Sequence, residues 1–383
     1  MHERGEVPRS NETTVVKRVE YPRVMSRDLV EQWGDGIPAF SEANPKDPEW
    51  RATPLYHLDL TTDGYGEVWV KDESDRTSNP TGTIKDRAAW ELATLYRDYA
   101  RALYLRLRIG SVTERDLAAM PIPRFSMITS GNEGRAVAER FAQHDLPPPK
   151  IIVATTMEPR MLAALKKLRA DIYTTDLTER ALTAEELQRL SENEGGVDIT
   201  AVRSIEPNAI FYDWHVHETL NEEPNAVYVP YGSGRLMENY VTWQERTIRN
   251  DAAHMRDPRL RANVGHVIAA NIIGAEPKRA DSIANKLTAR FKPFLLFQDT
   301  DISAMRNLRF TGSRTGKVLV SEERIREAHE FFTRHGIAAE PSGAAGLALY
   351  LEQHASGAVQ RGSKIIVVNT GRGLEVDASA DAP

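Results

Sequence analysis

From about residue 66 onward, the chain alternates between short apolar runs and longer stretches whose apolar positions recur every three or four residues. The first pattern predicts buried strands and the second predicts helices packed on them. Strand segments are predicted in EVWVKDE (67–73), FSMIT (125–129), KIIVATT (150–156), DIYTTD (171–176), AVYVP (226–230), VGHVIAANIIG (264–274) and KIIVVN (364–369). Helices are predicted over RAAWELATLYRDYARALYLRLRI (87–109), RAVAERFAQH (135–144) and SEERIREAHEFFTRHG (321–336). The last has an acidic first turn, with Gly336 just past its end. Met161, Leu162, Leu165 and Leu168 recur at helical spacing, and TAEELQRLSE (183–192) opens with a capping box from Thr183 to Glu186.

Strands alternating with helices predict an α/β protein with largely parallel sheets. In such sheets, ligands bind beyond the carboxyl ends of strands. SGN (130–132), YGSG (231–234) and TGRG (370–373) each follow a predicted strand, and Lys85 follows the polar turn Asn79–Gly82. These four segments are candidates to converge on one crevice.

Composition narrows the chemistry. The 383 residues suffice for roughly two to three domains. A net charge of -6 argues against a generally nucleic-acid-binding surface. The absence of cysteine excludes disulfides, thiolate nucleophiles and cysteine metal sites. The polar start MHERGEVPRSNETTVVKRVEYPR lacks an apolar signal-peptide core, and no run reaches transmembrane length. A soluble cytoplasmic protein without a membrane or nucleic-acid partner is expected, with residues 1 to about 20 as a flexible arm.

Each motif has two readings by itself. Gly232, Ser233 and Gly234 between a strand and a helix suit a phosphate, or a tight turn. The loop around Asn132 suits a carboxylate, or an ordinary helix cap. Thr370 at a strand end can bond a neutral ring nitrogen, or cap a turn. Lys85 is a solvated charge, or an amine whose pKa burial depresses so that it can form a Schiff base. Together, a reactive amine, a phosphate loop, an amide and a hydroxyl match the groups of pyridoxal phosphate.

TPL (53–55), VKDES (70–74), NPTGTIKDRA (79–88), TSGNEGRAVA (129–138), VPYGSGRL (229–236), AEPSGAAGLAL (339–349) and VNTGRGL (368–374) resemble, in order, the fold-type II pyridoxal-phosphate enzymes, the tryptophan synthase β superfamily. Threonine synthases and threonine dehydratases are the members it is most similar to in flavour. The resemblance implies two three-layer α/β domains with the cofactor in the cleft between them. The division expected is a small mobile domain over 79–176, with an insertion over 104–124, and a large domain from 21–78 and 177–383. Lys85 resembles the Schiff-base lysine that also serves as general base, and Asn132 the residue on the cofactor's phenolic oxygen. Thr129, Ser130, Gly131, Asn132 and Glu133 resemble the substrate-carboxylate loop. Gly232, Ser233, Gly234, Arg235 and Leu236 resemble the phosphate cup, and Thr370 the partner of the pyridine nitrogen. Glu340, Ser342 and Gly343 have a supporting role near the ring. A neutral hydroxyl at Thr370 favours elimination and replacement over transamination. The resemblance further implies a homodimer and a small amino-acid substrate.

Some positions depart from that pattern. Glu133 stands beside a carboxylate-binding loop, where it must point away or meet a cation. Arg235 replaces a common glycine, and Glu375, Val376 and Asp377 do not match the family's residues after the TGRGL stretch. His215 and His217 would share one face of a strand, as metal ligands or as structural residues. The expected activity is β- or γ-elimination. The alternatives are a cysteine synthase-like β-replacement and a catalytically inactive binding relative. The lack of GxGxxG followed by an acidic residue counts against a dehydrogenase.

Overall fold

The computed structural model describes residues 14–37, 52–176, 197–198, 210–250, 265–288 and 315–374. Two separate sheets organise them. The smaller has five strands, β1 (Thr14–Lys17), β6 (Asp171–Thr175), β5 (Lys150–Ala154), β4 (Phe125–Ile128) and β7 (Val197–Asp198), neighbours in that order. Its strands run parallel except at the β1 edge, which is antiparallel to β6. The larger has six, β10 (Thr315–Val320), β9 (Asn271–Pro277), β8 (Ala226–Pro230), β11 (Ile365–Asn369), β3 (Glu67–Asp72) and β2 (Leu55–Asp59), again in that order. Only the β2 edge is antiparallel.

The apolar runs explain the central positions. β8 (AVYVP) and β11 (IIVVN) are buried at every residue, as expected for parallel strands covered on both faces. The long helix α2 (Lys85–Arg108) buries Ala88, Ala89, Leu92, Ala93, Tyr96, Ala100 and Leu103. It packs on α1 (Arg27–Gly36) and α4 (Asn132–Gln143). Leu92 and Leu103 each contribute about 1.5–3 kcal/mol on burial, and the alanines between them let the neighbouring helices approach closely. Beyond α2 come the short α3 (Glu114–Leu117) and then α5 (Pro159–Lys167), α6 (Asp213–Leu220) and α7 (Arg235–Asn250). The helices α8 (Glu322–Arg334) and α9 (Ala345–Ala355) pack together beside the larger sheet. Ser321 caps α8 through its side chain, and Gly336 past its end adopts φ 70°.

Several expectations are corrected. Residues 14–17 are not part of a free arm. They form the β1 edge, where Val15 pairs with Tyr173 and the Val19 amide donates to Asp171 Oδ1 at 2.6 Å. The first 13 residues lie outside the described set. β7 belongs to the smaller sheet, so chain beyond 176 contributes to it. The 264–274 run is not all strand: a helical turn over 265–269 precedes β9. The DWHVHETL segment is helix α6, so His215 and His217 do not share a face. In 104–124 the helix α2 continues, α3 follows with a Thr113–Asp116 capping box, and Val24 bridges Pro121. The Thr183–Glu186 capping box and Glu375, Val376 and Asp377 fall outside the described residues.

Candidate active site

The turn ahead of α2 is built to fix Lys85. Gly82 closes it at φ 70°, its amide donating to the Asn79 carbonyl at 2.7 Å. Asp86 in the first turn accepts from the Thr81 amide at 3.0 Å and the Thr81 hydroxyl at 2.7 Å. The Lys85 amide donates to Thr83 Oγ1 at 3.2 Å. The loop after β11 is bonded directly to this turn. The Ile84 amide donates to the Thr370 carbonyl at 3.0 Å, and the Arg372 amide donates to the Gly82 carbonyl at 3.1 Å. Gly371, at φ 143°, lies so close that a Cβ there would sit 2.8 Å from the Gly82 carbonyl oxygen.

Lys85 Nζ donates to Tyr212 Oη at 2.9 Å and lies 3.7 Å from Glu133 Oε2. The lysine side chain is 26% exposed and the glutamate 15%. Burial pushes the amine down, but Glu133 and then Tyr212 outweigh it, against a smaller opposing push from Arg235. The amine therefore sits above its ordinary value, contrary to the depressed value expected from sequence. Glu133 does not point away: its carboxylate meets a cation, Lys85.

The β4–α4 junction supplies the second wall. Thr129 Oγ1 accepts from the Gly131 amide at 3.0 Å. Gly131 has φ 132°, and a Cβ there would meet Met161 Sδ at 2.5 Å, so the position requires glycine. Ser130 is exposed. Asn132 Nδ2 donates to Glu340 Oε1 at 3.1 Å. The Glu340 amide in turn donates to the Gly371 carbonyl at 2.9 Å.

The β8–α7 junction supplies the third. Gly234 adopts φ 81°, and a Cβ at Gly232 would lie 3.2 Å from Leu287 Cδ2. Arg235 opens α7 and is buried, with its guanidinium 5.2 Å from the Phe211 ring centroid. Leu236 is buried beside it. Ser342 Oγ accepts from the Lys286 amide at 3.2 Å. A cavity of about 840 Å³ adjoins the crevice, lined among others by Met161, Lys286, His329, Glu340, Ser342 and Arg372.

Sequence reasoning missed what lies behind Lys85. Arg87 forks onto Glu73, Nε to Oε2 at 2.7 Å and Nη2 to Oε1 at 2.9 Å. It also reaches both oxygens of Glu218, at 3.0 and 2.9 Å. Lys71 Nζ donates to Glu218 Oε2 at 2.6 Å. His215 Nδ1 donates to Glu73 Oε1 at 2.7 Å, and Tyr240 Oη donates to His215 Nε2 at 2.8 Å. Burial holds His215 below its ordinary value, although Glu73 pulls the other way. The neutral imidazole therefore serves as a hydrogen-bonded strut between α6 and β3. Two cations balance two carboxylates, which is the condition for burying them. The same network ties α6, and with it Tyr212, to the helix that carries Lys85.

The donor set fits a phosphorylated pyridine aldehyde: a half-buried amine, two Gly-rich turns without side chains in the way, a buried arginine at a helix N-terminus and a neutral hydroxyl at Thr370. A family profile described as pyridoxal-phosphate dependent enzyme matches residues 46–371. The chain belongs to that family. Its cofactor is pyridoxal phosphate, and the pair of mostly parallel sheets is the fold-type II architecture. The fold is similar to maize serine racemase (TM-score 0.54, 18% identity, covering 93% of this chain and 97% of that one). It is also similar to diaminopropionate ammonia lyase from Escherichia coli (TM-score 0.54, 16% identity, 96% of each chain). A third likeness is to O-acetylserine dependent cystathionine β-synthase from Helicobacter pylori (TM-score 0.52, 16% identity, 85% of this chain and 94% of that one). At these identities the likeness concerns the fold. Among the described residues of this family member, no group of His, Asp and Glu is arranged to hold a metal, and no helix is long and apolar enough to cross a membrane.

Proposed function

We propose that this enzyme is a lyase that eliminates a leaving group from the β or γ carbon of a small amino acid, as threonine dehydratases and threonine synthases do. The observation that carries the reading is the setting of Lys85. Its amine is held at 2.9 Å from Tyr212 and 3.7 Å from Glu133, in a turn bonded to the Thr370 loop.

When bound, pyridoxal phosphate supplies an electron sink that acidifies the substrate's α-C–H bond. Lys85 Nζ would be the attachment point for that group and the base for the α-proton. The Gly232–Leu236 segment, with Arg235 and the α7 N-terminus, holds the phosphate. Thr370 would offer the pyridine nitrogen a neutral hydroxyl, which would not charge it and so favours elimination over transamination. Asn132 holds the phenolic oxygen, with Glu340 orienting its amide. Thr129, Ser130, Gly131 and Asn132 cradle the substrate's α-carboxylate, and Glu133 borders that cradle. The 840 Å³ cavity beside Glu340 gives the approach for a small amino acid.

Part of the same proposal is a small unit around the five-stranded sheet, residues 79–176 together with β1 and β7, that moves against the rest, and a cytoplasmic homodimer. Exposed Tyr104, Leu105 and Ile109 support a contact between copies at the 104–124 excursion. The test is a panel of hydroxy-, amino-, phospho- and acetyl-substituted amino acids, assayed for keto acid and ammonia. Keto acid from at least one, lost in Lys85→Ala, is expected. Product only when a thiol or amine is added would replace the lyase reading with β-replacement.

A further inference from the structure

Glu133 is unused by the roles assigned above, and its position is a chemical problem. Its carboxylate lies in the first turn of α4, 15% exposed, beside the loop assigned to an α-carboxylate. It therefore repels an incoming carboxylate. It also opposes Lys85 as a base, because a carboxylate 3.7 Å from Nζ favours the protonated amine. Among the described residues, the ionisable groups facing Lys85 are Glu133 from α4, Tyr212 ahead of α6 and Arg235 from α7. Of these, Arg235 is cationic but belongs to the phosphate segment. Both conflicts disappear if the substrate brings its own cation.

Resting on the lyase reading, we infer that Glu133 is a specificity-determining residue that receives a second, cationic amine on the substrate, so that the preferred substrates are diamino acids. The group Glu133 holds in this structure is itself a primary amine, that of Lys85. A substrate ammonium at Glu133 takes the place of that partner. With Glu133 paired to the substrate, its carboxylate no longer favours the protonated form of Lys85. Recognition of the side chain and activation of the base are one event.

The chemistry balances with ammonia as the leaving group. The α-proton passes to Lys85 Nζ, and the C–H electron pair becomes the new C=C bond. The β-ammonium departs as neutral ammonia with the electron pair of the broken C–N bond. Water then replaces the α-nitrogen, giving a keto acid and a second ammonia.

The test compares 3-aminoalanine with serine, which carries a hydroxyl in place of the second amine. Holoenzyme of the wild type, Glu133→Gln and Glu133→Asp is assayed, and the pH dependence of Lys85 acylation is measured on the cofactor-free proteins. We expect the wild type to favour 3-aminoalanine by at least tenfold in kcat/KM. Glu133→Gln loses that preference and shifts Lys85 acylation to lower pH, and Glu133→Asp keeps most of the preference. Serine turned over as well as 3-aminoalanine by the wild type, or an unchanged preference in Glu133→Gln, overturns the inference and leaves the lyase reading standing. No keto acid from any amino acid overturns both.

Discussion

Arg87 and Glu73 form a two-point ion pair at 2.7 and 2.9 Å, with side chains 2% and 0% exposed. The pair joins the helix carrying Lys85 to the end of strand β3. Removing the arginine strands Glu73 and Glu218 as uncompensated buried charges. Arg87→Ala is therefore expected to cost about 3–5 kcal/mol in urea unfolding. Arg87→Lys should recover only part of it, because an ammonium cannot fork onto both oxygens.

The hydroxyl of Tyr212, at 1% exposure, accepts from Lys85 and helps to hold it charged. Tyr212→Phe removes a hydrogen bond to a cation, worth about 1.5–3 kcal/mol. Lys85 should then deprotonate at lower pH, and the acidic limb of the kcat profile, which reports groups in the substrate complex, should move down. The unfolding midpoint should fall by an amount corresponding to that loss, while the packed ring keeps its apolar contacts. A downward shift of that limb measures the contact, and an unmoved profile would deny it.

The pH dependence of stability should have opposing contributions. Burial pushes Glu218 up, but Arg87 and then Lys71 overcome this and bring it down to about 2. That stabilisation is present above the ordinary carboxylate range and is lost as pH falls towards 2. Burial raises Asp86 to about 6, and burial with help from Asp213 raises Glu91 to about 7. These two favour folding while protonated, so their contribution declines as pH rises from the ordinary carboxylate value through 6 and 7. Thermal melts should show Tm falling between pH 5 and pH 8, and Glu91→Gln should flatten that decline.

Gly371 is confined both by its φ of 143° and by the Gly82 carbonyl 2.8 Å from an added Cβ. Gly371→Ala forces the Thr370 loop away from the Lys85 turn. A loss of at least about 1–3 kcal/mol from backbone strain is expected. Cofactor affinity, followed by quenching of tryptophan fluorescence, should fall with it.

The placement of the candidate segments was legible because they lie at strand ends, which apolar runs reveal. Thr129–Glu133, Gly232–Leu236 and Thr370 each follow a fully buried strand, as the pattern predicts. Tyr212 was not legible. Its contact with Lys85 spans 127 positions, and nothing in the IFYDWH stretch marks it locally. The HVH pattern fits a strand over three residues, and only the burial of His215, Val216, Thr219 and Leu220 reveals the helical period. The β1 edge escaped notice because a short TVVK run within a charged stretch becomes a strand only by pairing with β6. The environment of Lys85 was misjudged for a similar reason. Burial was anticipated, but the carboxylate that outweighs it comes from another element.

The central claim is that Lys85 carries the cofactor. The direct measurement is borohydride reduction of the pyridoxal-phosphate-loaded protein, followed by mass analysis of its peptides, with Lys85→Ala in parallel. The account predicts a visible absorption band that reduction abolishes, with the reduced cofactor fixed on the peptide containing Lys85 and on none from the variant. A label on Lys71 or Lys286 instead, or a loaded protein without the band, would contradict it.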